Sequence, residues 1–168
     1  GYSLLEIDTE SELREFCARN QAIILGELVE NKMKYYIIEL EYRNEIKRIG
    51  IINEGHGIKP SATVLLEMDL IIVASDEHIC FVDLVSNEIL HEIICDSLVY
   101  ELYLSNLDTG DTVVVCELGV MRITVNGELI WKYDCEVIED YKIKQDTIDL
   151  LINGKNIRIS KNTGKEKI

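Results

Sequence analysis

The sequence predicts an all-β protein built from a row of about four small antiparallel sheets, with one helix near the N-terminus. Three observations predict it. From residue 22 onwards, runs of about five to eight residues rich in Val, Ile, Leu, Tyr and Thr are broken by Gly, Asn, Asp and Ser. Proline, at Pro60 alone, interrupts almost nothing. The runs come in sets that recur with a period near forty residues (~40). Hydrophobic residues are 47% of the 168 and charged residues 29%, so the chain can fill a core and is not disordered.

Residues 2–7 form a first strand-like run. Thr9-Glu10-Ser11-Glu12 then fits a capping box, in which a hydroxyl and a carboxylate serve first-turn amides. Leu13, Phe16 and Cys17 fall at i, i+3 and i+4, one apolar stripe of a helix that ends near Arg19-Asn20. Strand runs follow at 22–28, 35–42, 45–52 and 63–68, with the insert Gly55-His56-Gly57-Ile58-Lys59-Pro60 among them. A second set occupies 70–75, 79–84, 88–94 and 98–104, and a third 112–117, 120–125, 128–133 and 137–144. The last, at 147–152, 156–161 and 165–168, has three runs. Val82, Ile123 and Ile159 align at offsets of 41 and 36, and Ile38 extends the series back by 44. Units of 22–68, 69–110, 111–145 and 146–168 follow from this alignment, after an N-terminal strand and helix at 1–20. Asn126-Gly127 and Asn153-Gly154 supply the positive φ of tight hairpins.

Four strands per period of about forty is the pattern of propeller blades. A four-stranded sheet cannot cover both of its own apolar faces, and the next sheet, about 10 Å away, covers one of them. The run Ile79-Cys-Phe-Val-Asp-Leu-Val-Ser-Asn-Glu-Ile-Leu90 resembles the third strand, turn and fourth strand of a WD-repeat blade. Val125-Asn-Gly-Glu-Leu-Ile-Trp131 resembles the Gly-x-Leu-x-Trp turn of PQQ-like propeller repeats. Both resemblances, which extend over residues 22–168, imply interaction surfaces; the departures from the PQQ pattern give no reason to expect that cofactor. Two arrangements satisfy the repeat. Residues 2–7 supply the fourth strand of the last unit and close a ring, or the stack stays open like a fan, with the helix over one of its two apolar ends. The open form is favoured, because closing a ring with four blades needs an unusually steep rotation between them.

The chain carries 31 Asp and Glu against 17 Lys and Arg, a net charge of −14. That balance argues against nucleic acid and against anionic lipid, which both need clustered cations. No apolar run approaches the ~18 residues of a membrane span, and the first residues lack the basic start and apolar stretch of a secretory signal. Cys17, Cys80, Cys95, Cys116 and Cys135 are odd in number and form no Cys-x-x-Cys pair, so they read as buried free thiols of a cytoplasmic protein. No phosphate-binding loop, Gly-x-Ser-x-Gly or His-Glu-x-x-His occurs. No metal, cofactor or catalytic group is therefore expected. His56, His78 and His91 beside hairpin-end carboxylates are the residues on which a hydrolase reading would rest. Asp108-Thr109-Gly110-Asp111 reads as a turn, since the ligand spacing of a calcium loop is missing.

Charge is uneven along the chain. Residues 142–168 hold seven basic and three acidic residues, +4, which leaves −18 on residues 1–141. Two acidic clusters stand out: Glu10, Glu12 and Glu15 on the helix, and Asp134, Glu136, Glu139 and Asp140 beside Tyr141. Acidic fields accelerate encounter with cationic partners, and Tyr is enriched at interfaces. The expectation is a non-enzymatic module that binds a basic protein through these residues. Its small, acidic profile is similar to that of immunity proteins that neutralise cationic bacterial toxins. A propeller-type scaffold that pairs with a second copy, or joins a larger assembly, is the alternative.

Overall fold

The computed structural model describes residues 1–28 and 33–168. The stretch 29–32, inside the predicted unit 22–68, lies outside the described residues. Four sheets lie side by side in an open row, joined by short connections. The first contains β1 (Tyr2–Ile7), β2 (Ile23–Leu25), β3 (Lys34–Tyr42) and β4 (Glu45–Asn53), in the order β1-β3-β4-β2. The second runs β5 (Ser61–Leu65), β6 (Leu70–Ser75), β7 (His78–Asp83), β8 (Ile89–Ile94). The third runs β9 (Val99–Leu104), β10 (Thr112–Cys116), β11 (Gly119–Ile123), β12 (Leu129–Asp134). The fourth has three strands, β13 (Ile138–Ile143), β14 (Thr147–Ile152) and β15 (Lys155–Ser160).

This grouping places each unit boundary one strand earlier than the sequence sets it. The last strand of each expected unit, such as β9 or β13, instead opens the next sheet because its partners follow it in the chain. Residues 2–7 do not close a ring either. They pair antiparallel with β3 of the first sheet, Tyr2 opposite Leu40 and Ile7 opposite Tyr35. The chain then crosses to the far edge, where β2 runs parallel to β4. A parallel return of this kind needs a crossover, and α1 (Glu10–Arg19) provides it. Thr9 caps α1 by accepting the Glu12 amide at 3.2 Å, and Asn20 ends it by donating to the Phe16 carbonyl at 2.8 Å.

Burial follows from position in the row. Strand β6 lies between two sheets, and alternate residues serve opposite neighbours. Ile71 and Val73 face the first sheet, among Ile38, Leu40 and Ile51. Leu70, Ile72 and Ala74 face the third, among Leu102, Val114 and Ile123. Strand β10 repeats this, with Val114 facing back and Val113 and Val115 facing forward onto Ile148 and Leu150. Each such side chain contributes about 1.5–3 kcal/mol when fully buried. A strand dry on both faces must be apolar throughout, which is why β6 reads Leu-Ile-Ile-Val-Ala.

The two ends of the row are finished differently. On the outer face of the first sheet, Leu13 and Cys17 of α1 cover Ile37 and Ile52. The helix sits close because Gly50 lies beneath it; a Cβ there would stand 2.6 Å from Cys17 Sγ. At the other end β14 alternates, with Ile148, Leu150 and Ile152 buried inward and Asp149 turned outward. Asp149 accepts from Arg158 at 2.8 Å and pairs with Lys144 at 2.7 Å. An apolar face at each end was the expectation for an open stack. The outer side of the fourth sheet corrects that, since it carries the Asp149, Arg158 and Lys144 charges.

The first strands of successive sheets, which share one edge of the row, are tied in sequence. The Ala62 amide donates to the Tyr2 hydroxyl at 3.1 Å, the Leu102 amide to Ser61 Oγ at 3.1 Å, and the Tyr141 hydroxyl to Glu101 at 2.7 Å. The third-strand turns repeat as well. Asp83 accepts from the amides of Val85 and Ser86, Thr124 from Asn126 and Glu128, and Ser160 from Asn162 and Thr163. Each turn then passes through positive φ, at Asn87, Gly127 and Gly164. Trp131 is buried against Gly164 and donates its indole N–H to the Lys161 carbonyl at 2.9 Å, so it belongs to the core.

Two outcomes test this packing. Gly50→Val drives a side chain into Cys17 and Leu13 and lowers stability by about 1–3 kcal/mol in urea unfolding. Asp149 is held down to about 2 by its hydrogen bonds from Arg158 and then Lys144. Its folded value lies below its unfolded one, so its contribution is full above roughly pH 4 and is lost as pH falls through about 2. Asp149→Asn therefore reduces stability at neutral pH, and the gap from wild type closes by about pH 2; a gap constant across that window contradicts the assignment.

Candidate functional site

The two predicted acidic clusters lie apart. Glu10, Glu12 and Glu15 ride on α1, outside the first sheet, whereas residues 134–141 join the third sheet to the fourth. At least two sheet spacings, about 20 Å, separate them. Within the helix cluster, Glu10 pairs with Arg14 at 2.9 Å, while Glu12 and Glu15 are exposed.

The second cluster is largely engaged with its own fold. Glu136 hydrogen-bonds the Asn153 side chain, and Glu139 accepts the Gly154 amide at 3.0 Å. Both acids thus hold the β14–β15 hairpin, whose Asn153 and Gly154 both have positive φ. Asp134 lies 3.5 Å from Lys132, which also pairs with Asp96 at 3.0 Å. Asp140 is exposed and accepts the Tyr141 amide. Tyr141 is half-buried, stacks on Tyr100 at 6.3 Å and donates to Glu101. Burial first, and Glu101 second, push its phenol well above the ordinary tyrosine range.

A different acidic surface emerges between the first and second sheets. Their outer edges, β2 and β8, splay around a cleft of about 490 Å³. Ile24, Ile52, Val73 and Ile89 supply apolar walls, and Glu27, Glu54, Asp76 and Glu92 supply four carboxylates. Among the described residues no Lys or Arg lines it. The corresponding cleft between the second and third sheets, about 260 Å³, has Lys132 in its lining against Asp96 and Asp134.

The acidic cleft is held open by specific contacts. Asn53, buried at the end of β4, donates to Ser75 Oγ at 3.1 Å and accepts the Gly55 amide at 2.9 Å. It therefore joins the two sheets and shapes the loop after β4. Asp76 sits at positive φ in the β6–β7 turn and accepts the Glu54 amide on both oxygens, at 3.0 and 3.2 Å. Burial raises its carboxyl above the usual range, against the lowering effect of that amide. His56 Nε2 lies 2.9 Å from Glu54 Oε2, and that contact raises the imidazole above its ordinary value. His78 Nδ1 lies 2.6 Å from Glu92 Oε1 at the same cleft.

The sequence singles out His56 and His78 beside hairpin-end carboxylates but does not say which carboxylates meet them. Sequence reasoning missed Glu27, Glu54 and Glu92 because they come from separate segments. A positional signal existed for two of them: Glu27 and Glu54 follow the ends of β2 and β4, whereas Glu92 lies within β8. His91 lies instead beside Phe81, edge to face at 5.8 Å. Asp108-Thr109-Gly110-Asp111 forms the β9–β10 turn, with Asn106 Oδ1 accepting the amides of Asp108 and Thr109. Cys17, Cys80 and Cys116 are buried, Cys95 and Cys135 half-buried, and all five are free thiols.

The contrast between engaged and exposed acids is measurable. Glu139→Ala leaves the Gly154 amide without its acceptor and lowers stability by about 1 kcal/mol. Glu15→Ala, on the exposed side of α1, changes it by less than ~0.5 kcal/mol. Equal losses in denaturant unfolding contradict the structural role of Glu139. Compared with known protein families and with curated proteins, the chain matches no family model and no curated sequence.

Proposed function

We propose that the protein is a non-enzymatic docking module that receives a basic segment of a partner protein in the cleft between its first two sheets. One observation carries the reading: four carboxylates, from Glu27, Glu54, Asp76 and Glu92, converge on an apolar-walled cleft whose described lining holds no Lys or Arg. A Lys or Arg side chain fits such a place twice over. Its aliphatic stem packs on Ile24, Ile52 or Ile89, and its charged head meets a carboxylate. The net charge of −14 adds a long-range field that raises the encounter rate with a cationic protein. Neutralisation of a basic toxin, the role of immunity proteins, is one setting for this chemistry. Glu12, Glu15, Asp134 and Asp140 contribute to the field around the molecule rather than to the cleft.

The test uses a fluorescent peptide of about ten residues that alternates Lys or Arg with apolar residues. It binds the wild type, and its affinity falls as salt shortens the range of exposed charges from about 10 Å at 0.1 M to about 3 Å at 1 M. Glu27→Gln combined with Glu92→Gln weakens binding by about tenfold or more, the equivalent of one to two charged contacts. Glu12→Gln with Glu15→Gln leaves it within about twofold. Affinity indifferent to salt, or equal in the two double variants, overturns the reading.

A further inference from the structure

The geometry points to a divalent transition-metal site formed by Glu54, His56 and Asp76 at the mouth of the cleft. One ligand atom from each, an imidazole nitrogen and two carboxylate oxygens, lies within 4.8 Å of the others. The residues come from two sheets: Glu54 and His56 from the loop that leaves β4, and Asp76 from the β6–β7 turn. Three features of this cluster suit a metal. Asp76 is oriented by the Glu54 amide, and that contact leaves acceptor capacity on both of its oxygens. Glu54 and His56 already approach to 2.9 Å, so little rearrangement brings both onto one ion. Two carboxylates stand together with no lysine or arginine in the described lining, and a divalent cation balances their charge.

The donor set selects the class of ion. One imidazole with two carboxylates suits Zn²⁺ and its first-row neighbours, while Ca²⁺ and Mg²⁺ favour oxygen ligands alone. Three protein ligands leave at least one position for water. Such an ion spans the outer ends of the first two sheets and fastens the loop after β4 to the β6–β7 turn. Metal binding therefore favours the folded over the unfolded chain.

The site shares Glu54 and Asp76 with the proposed docking cleft, but the metal alone is the probe, so it is tested apart from the basic partner. Zn²⁺ titrated by calorimetry into the full chain, with thiols kept reduced, binds at one site and raises the melting temperature. His56→Ala, a change at an exposed side chain, weakens that binding by more than about tenfold, the scale at which loss even of an outer-shell partner is felt. Glu54→Gln weakens it in the same direction. Ca²⁺ at the same concentration shifts neither signal. Unchanged Zn²⁺ binding in His56→Ala assigns the metal to other donors, such as the cysteines, and overturns the proposal; so does a Ca²⁺ response equal to that of Zn²⁺. The peptide experiment relies on Glu27 and Glu92, so either reading can fail while the other stands.

Discussion

The structure depends on a shortage of cover. None of the four sheets can shield both of its faces, so each is stable only against a neighbour, and the three interfaces between sheets are the core. The demand is strictest in the middle of the row. Strands β6 and β10 are dry on both sides and tolerate almost no polar residue along their length. At the ends the demand relaxes, and the chain meets it by opposite means. A helix seated over Gly50 covers the first sheet, and an outward layer of Asp149, Arg158 and Lys144 finishes the fourth.

The same constraint places the clefts. Side chains fill the space between neighbouring sheets along the row, but at the outer edges the strands are short or polar. Strand β2 has three residues, and β8 is mostly exposed. What remains between two such edges is a groove whose walls belong to the apolar interface and whose rim joins turn residues to Glu92 of β8. Turns favour Asp, Asn, Ser and Gly for their backbone geometry. A groove bounded by turns is therefore apolar within and rich in oxygen at its rim, and this chain has made one such rim acidic.

Much of the architecture was legible in the sequence because it follows from local pattern. The period read from Val82, Ile123 and Ile159 matches three equivalent positions in neighbouring sheets, and Thr9 caps the helix where the sequence places it. The phase of the repeat was not legible. Apolar runs mark strands without saying which neighbour each prefers, so β5, β9 and β13 were joined to the wrong side. The destination of residues 2–7 was equally hidden, since pairing Tyr2 with Leu40 depends on the crossover through α1. The acidic cleft was illegible for a related reason. Its carboxylates lie on four segments brought together only by sheet packing, whereas the contiguous acids at 134–140 attract attention and partly serve their own hairpin.

The crossover in the first sheet divides the work of chain closure unevenly. Sheets two to four are meanders whose strands meet partners adjacent in sequence. The first sheet instead waits for Tyr2 to find Leu40, 38 positions away, with a helix formed between them. Long-range pairings carry a larger entropic toll before any contact rewards them, which slows their formation. The later three sheets can thus be built from local hairpins, whereas the N-terminal sheet needs a long-range closure. Since that sheet forms one wall of the acidic cleft, completing the cleft requires this long-range closure as well as the local hairpins.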